Sequence, residues 1–260
     1  MSFTLFSEII TANWHIILLF FTVAIVYSSV GFGGGSSYLA ILALTGIAFT
    51  QIRATALLCN IAVVTGNVIL FQQQKMYNWK KVLPLVFFSI PMAFLGGFLK
   101  ISQSFFFILL GFILLVAAIS MWISKRVQSL NKDEYTNLSL TKSASFGGFI
   151  GFISGIAGLG GGIFLAPLLH LTNWDTPKKI AAITSLFVLV NSISGLFGQY
   201  INPDFMIDWK LTSILLITVF IGGQIGNRIS NHLFTPIQLK KATAFLIALI
   251  SLRILWKHLS

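Results

Sequence analysis

The chain has 260 residues, 56% of them hydrophobic and only 9% charged, with a mean hydropathy of +0.91. A water-soluble domain carries about 25% charged residues, so this chain cannot cover a surface that faces water, and its long uncharged runs place it in lipid. Its net charge of +11 does not signal nucleic acid, because the basic residues are scattered through short loops between apolar runs.

Lipid offers no hydrogen-bond partner, so apolar runs of this length must be helices. They fall at 14–30, 36–49, 52–71, 82–99 and 104–123. A polar stretch follows, "SKRVQSLNKDEYTNLSLTKS", and then come 144–157, 163–172, 180–200, 211–227 and 242–256. The first span is preceded by Glu8 and no basic residue, which argues against a cleaved leader. All six tryptophans, Trp14, Trp79, Trp122, Trp174, Trp209 and Trp256, lie at segment ends, where amphipathic rings favour the membrane interface. The single Cys59 lies inside an apolar run and is read as a small core residue.

The two halves read as copies. Gly31–Gly35 matches Gly158–Gly162 at an offset of 127, and Thr55 matches Thr184 and Gly66 matches Gly195 at 129. Gly96 and Gly97 match Gly222 and Gly223 at 126. Landmarks in one order at nearly one offset indicate an internal repeat. Residues 144–172 are too few for two full spans and a turn, which would take about 40 residues. The glycine-centred pair is therefore either one broken span or a hairpin that enters and leaves on one side.

Charge favours the hairpin. It places Lys75, Lys80, Lys81, Lys125, Arg126, Lys132, Lys142, Lys178, Lys179, Arg228, Lys240 and Lys241 inside. Arg53, Lys100, Lys210, Arg253 and Lys257 then lie outside with both termini, a 12 to 5 split of the 17 basic residues. A broken span gives only 10 to 7. Lys and Arg concentrate in cytoplasmic loops, so the second half is expected upside down. The expected fold is an all-α, polytopic membrane protein of two inverted repeats. Each repeat holds a Gly-rich broken helix or hairpin plus three spans, giving about eight hydrophobic helical segments. The expected units are residues 1–123, a polar cytoplasmic linker at 124–143, and residues 144–260.

Four glycines in five positions are a poor way to build a helix. At membrane depth such a break frees the N–H groups at the start of the next helix, and with the helix dipole they form an anion site without a basic residue. Inverted repeats would bring two such ends together near the midplane. The same glycines can instead serve close helix packing.

At this point the motifs are specific. "GFGGGSSYLAILAL" and "GIAGLGGGIFLAPLLHL" resemble the paired signature of the sulfite exporter TauE/SafE family, also called the sulfonate uptake permease family. The likeness covers nearly the whole chain. It implies a secondary transporter or exporter of small sulfur-containing anions, such as sulfite, sulfoacetate or other organosulfonates, in the cytoplasmic membrane. The alternatives are a transporter of another small anion such as a carboxylate, and a membrane assembly or receptor subunit without transport. The second copy fits the pattern with Pro167, whereas Ala40 stands in place of that proline in the first copy and Ser36 and Ser37 replace an apolar pair.

The substrate-binding candidates are Gly33, Gly34, Gly35, Ser36, Ser37, Thr55, Asn60, Gly160, Gly161, Gly162, Thr184, Ser185 and Asn191. Hydroxyls and amides donate hydrogen bonds to sulfonate oxygens, and the alternative for each is bonding between helices. Arg53 at the outer mouth and Lys178 and Lys179 at the inner mouth can steer anions, or snorkel at the interface. All six carboxylates, Glu8, Asp133, Glu134, Asp175, Asp204 and Asp208, fall at span ends or in loops, which argues against cation pumping by an intramembrane acid. Four histidines without metal-site spacing, and no assembled nucleophile and base, argue against an enzyme. No cofactor or metal is expected. The expected partners are a small inorganic or organic anion and membrane lipid, with a homodimer as a candidate assembly.

Overall fold

The computed structural model describes residues 3–29, 33–123, 139–203, 205–229 and 236–259. Its elements in chain order are α1 (Phe3–Ser29), α2 (Gly35–Ala43), α3 (Phe49–Gln73), α4 (Trp79–Phe98) and α5 (Gln103–Ile123). The second half supplies α6 (Leu140–Ala157), α7 (Gly162–Leu171), α8 (Pro177–Tyr200), α9 (Trp209–Ile229) and α10 (Pro236–Leu259). The described residues are all helix and connection, and among them five helices are long and apolar enough to cross a membrane. The protein is an all-α, multi-pass membrane protein.

The helices start earlier than the apolar pattern places them, by one to three residues in most and by more in α1, α6 and α10. α1 begins at Phe3, and its backbone leaves helical geometry at Asn13 (φ −117°, ψ 17°), so the apolar span proper follows a kink and a preceding stretch of helix. α6 begins at Leu140, inside the stretch expected as linker, because Ser139 caps it by accepting the N–H of Lys142. The rest of that polar stretch, with Lys125, Arg126, Lys132, Asp133 and Glu134, lies outside the described residues.

Close approaches fix the direction of each helix. Gly147 lies on Leu85, Gly151 on Ser89 and Gly155 on Ala93, so α4 and α6 run parallel with backbones in contact. A Cβ at any of these three glycines would run into a carbonyl of α4, the small-residue packing that membrane helices use. Gly222 beside Phe21 and Ala24, with Gly226 beside Ile25, makes α1 and α9 parallel in the same way. α4 also runs parallel to α8, as Ser194 Oγ donating to the Ile90 carbonyl (2.6 Å) and Gly198 against Phe94 require. α3 likewise runs parallel to α9, with Thr55 by Thr212 and Val63 by Gly223.

Counterpart helices run in opposite directions. Gly111 of α5 meets Ile254 and Leu255 of α10, and the Phe107 ring stacks on His258 at 4.6 Å. Leu57 of α3 reaches Gly195 of α8, while Val64 and Val188 meet beside Gly33. The α4–α6 and α4–α8 contacts thus have partner contacts in α1–α9 and α3–α9, and the two halves are related by a two-fold axis lying across the helices. The repeats are inverted.

The glycine-centred pairs are hairpins. α6 and α8 both run parallel to α4, so α7 must return between them. The 10 residues of α7 span about 15 Å, enough to go half-way back. Gly160 sits beside Val188 and Ser192, midway along the 24-residue α8, and Gly33 and Gly35 sit beside Asn60, midway along the 25-residue α3. Both breaks therefore lie at mid-depth.

Cysteines introduced at Gln103 and Thr141, exposed starts of α5 and α6, should react with a membrane-impermeant maleimide from opposite faces. Cys59 is fully buried and should stay silent. Labelling of both sites from one face would overturn the inversion.

Candidate functional site

The two breaks share one local geometry. Gly34 is the N-cap of α2 at φ 81° and Gly161 is the N-cap of α7 at φ 85°, left-handed conformations that L side chains rarely adopt. Neither cap offers a side-chain acceptor. The hydrogen-bond ladder of α2 begins with Ser37 and Tyr38 donating to the Gly34 carbonyl, and that of α7 with Phe164 and Leu165 donating to the Gly161 carbonyl. The amides of Gly35 and Ser36, and of Gly162 and Ile163, stand ahead of those ladders. They carry the partial positive charge of each helix start.

The two starts converge on the same side chains. Val188 lies against Gly33, Gly160 and Gly162. Asn60 lies against Gly33, Gly35 and Gly160, and its Nδ2 donates to the Leu159 carbonyl at 3.1 Å. One amide thus wedges between the first break and the second. It is fully buried, and its Oδ1 has no partner.

More unpartnered polar atoms surround the second break. Ser154 packs beside Gly161, Thr184 beside Gly162 and Ser192 beside Gly160, and all three hydroxyls are fully buried with no hydrogen-bond partner. Asn191 donates Nδ2 to the Phe187 carbonyl at 2.8 Å and leaves Oδ1 unpartnered. An unsatisfied buried polar group costs about 1–3 kcal/mol. A cluster of them at two helix starts is the signature of a site whose bonds are completed by something other than the fold. Rotatable hydroxyls can then donate alongside the four amides.

Several sequence candidates are placed differently. Arg53 is not at a mouth: it is 4% exposed, and its Nη2 donates to the Gly155 carbonyl at 3.1 Å. The cause is Gly158, which lets the end of α6 lie directly on the Arg53 backbone and cover it. Thr55 faces α9, where its hydroxyl pairs with Thr212 at 3.0 Å, so it does not occupy the place that Thr184 holds beside Gly162. Ser185 bonds back to the Ala181 carbonyl of its own helix, and Ser37 donates to the Tyr27 hydroxyl at 3.0 Å. Ser36 is buried within the first turn of α2. Lys178 is exposed at the start of α8, whereas Lys179 is drawn to Asp175, with Nζ 3.2 Å from Oδ1. Gly31 and Asp204 lie outside the described residues.

Sequence reasoning missed Ser154 and Ser192. Ser154 was reachable, since it is the copy of Ser28 at the offset of 126. Ser192 gives no signal of its own beyond its place beside Asn191. A cavity of about 440 Å³ opens between the starts of α1, α3 and α9 and the end of α2, on the side of the chain termini. Glu8, Asn13, Gln51, Asp208 and Lys210 line it, together with Thr55 and Thr212. Thr55 is five residues from Asn60, about 7.5 Å along α3.

Comparison with known proteins agrees with this architecture. The sulfite exporter TauE/SafE family profile matches residues 16–254. A probable membrane transporter protein of Sinorhizobium fredii is 33% identical over 244 residues, covering 92% of this chain and 96% of its own length. Another, from Methanocaldococcus jannaschii, is 24% identical over 84% of this chain and 86% of its own. No solved structure matches the chain.

Thr184→Val removes a fully buried, unpartnered hydroxyl without changing shape. Its thermal midpoint should hold or rise, by up to about 1 kcal/mol of stability, while the stabilisation conferred by a small oxyanion falls. Loss of stability together with unchanged oxyanion response would show that Thr184 serves the fold alone.

Proposed function

The chain belongs to the sulfite exporter TauE/SafE family, and on that premise we propose that it moves small oxyanions of sulfur, sulfite or an organosulfonate, across the cytoplasmic membrane by alternating access. The observation that carries this reading is the meeting of two uncapped helix starts, α2 and α7, around Asn60 and Val188. Each start favours a negative charge by about 0.3–1 kcal/mol in the open and up to about 2 kcal/mol when partly buried. Two of them, approaching from opposite halves, suit an anion with oxygens on several sides. Ser154, Thr184 and Ser192 add neutral donors, which hold the anion without the strong binding that would prevent release.

The same geometry supplies the moving parts. Each hairpin ends mid-depth, and the second is held to α3 by two polar bonds, Asn60 to the Leu159 carbonyl and Arg53 to the Gly155 carbonyl. A shift of the second hairpin against α3 breaks the Asn60 bond at the break itself. On this reading the cavity on the side of the termini is one approach to the site, and the opposite approach lies beside α7 and Lys178. Lys178 is the exposed cation best placed to attract an anion there.

Protein reconstituted into liposomes should move sulfite or sulfoacetate, measured beside acetate, sulfate and a cation series. Movement of cations alone would overturn the reading, and movement of carboxylates alone would replace its substrate. Gly34→Ala and Gly161→Ala each force a left-handed φ on a side chain, costing about 1–2 kcal/mol, and crowd Tyr38 and Phe187 respectively. Both variants should fold and lose most of the transport. Full activity in both would show that the glycines act as spacers.

A further inference from the structure

A second polar cluster, which the oxyanion site does not use, lies where α1, α3 and α9 meet. Ser28 Oγ lies 2.6 Å from Asn227 Oδ1, 2.8 Å from the Gly223 carbonyl oxygen and 3.1 Å from Asn67 Oδ1. Ser28 and Asn67 are 2% and 1% exposed. Gly66, having no side chain, makes room for the amide nitrogens of Gln224 and Asn227, which turns the Asn227 oxygen toward Ser28. Four oxygens thus converge, and the Ser28 hydroxyl hydrogen is the one proton among them. It can satisfy one neighbour. As the amides are oriented, the remaining oxygens have no donor, and Asn67 Nδ2 is buried beside them without a partner.

Two helix ends add negative potential here, opposed by the exposed Arg228 in the last turn of α9. Ser28 lies in the last turn of α1 and Asn227 in the last turn of α9, and the two helices run parallel, so both carbonyl ends point to this place. Packing does not demand the amides: at the repeat offsets, Leu196 stands for Asn67 and Ile101 for Asn227. Asn67 also continues a buried polar face of α3, since Arg53, Asn60 and Asn67 are spaced by seven residues, two turns or about 10.5 Å apart.

We propose that Ser28, Asn67, Asn227 and the Gly223 carbonyl bind a sodium ion that accompanies the transported oxyanion, a role that rests on the transport reading above. Hard, neutral oxygen ligands select against soft metals. The cluster has no carboxylate, which a divalent ion would need, and no titratable group that could carry a proton instead. The Ser28 contacts are at hydrogen-bond distance, so an ion enters by replacing them and spreading the oxygens, which a small monovalent ion does with least movement. A cation here sits about two turns of α3 from Asn60, near enough to offset the charge of an anion between the breaks and far enough to bind separately.

The test is thermal unfolding of the full-length protein in detergent with sodium, potassium or choline chloride at equal ionic strength. Sodium alone should raise the midpoint, saturably. Asn67→Leu and Ser28→Ala should remain folded and weaken the apparent sodium affinity by at least about tenfold, while the shift produced by oxyanion in choline persists. If the amides turn their nitrogens inward and satisfy the hydroxyl among themselves, sodium and choline will give one midpoint and the site is refuted. A sodium shift unchanged in both variants also refutes it. In liposomes, oxyanion flux that is equal in sodium and choline removes the accompanying role and leaves the transport reading intact. A sodium shift with no oxyanion flux does the reverse.

Discussion

An amide hydrogen inside hydrocarbon must find an acceptor or be walled off from lipid. Every unusual feature of this fold follows from breaking two helices where that rule is most severe. The amides of Gly35, Ser36, Gly162 and Ile163 are kept from lipid by α3 and α8, whose apolar stretches are more than half buried. Those two helices are counterparts, and each lies on both breaks: Val188 of α8 on Gly33, Gly160 and Gly162, and Asn60 of α3 on Gly33, Gly35 and Gly160. Both repeats thus contribute to burying each break. The functional unit is therefore the pair.

The seams that hold the pair together are made of missing side chains. α6 lays Gly147, Gly151 and Gly155 on α4 at every fourth residue, one face of a helix, and α9 lays Gly222 and Gly226 on α1. Such contacts gain from dispersion between closely approaching backbones, since lipid tails compete with any apolar side chain. They join α4 to α6 and α1 to α9 across the midline, so the halves are interlaced.

Much of this was legible in the sequence. The absence of charge forced helices, the repeat offsets gave the duplication, and the asymmetry of Lys and Arg chose a hairpin over a broken span. The close approaches around Gly111 and Leu57 then bear that choice out. The convergence of the two glycine runs followed from the inversion. Side-chain placement was less legible. Arg53 reads as a mouth residue because it begins an apolar run, but whether α6 covers it depends on Gly158, 105 residues later. Thr55 matches Thr184 by offset, yet a helical residue faces whichever neighbour packs there, and for Thr55 that neighbour is α9. Which buried hydroxyl keeps a partner depends on tertiary contacts, so Ser185 and Ser192 look alike in the sequence and differ in the fold.

The duplication is exact in direction and inexact in chemistry. In an alternating-access cycle built from two inverted copies, the inward and outward states exchange the shapes of the two halves, and identical copies would make those states equal in energy. Here Asn67 stands opposite Leu196, and Asn227 opposite Ile101. On the alternating-access reading proposed above, that mismatch would lift the degeneracy and favour one resting side.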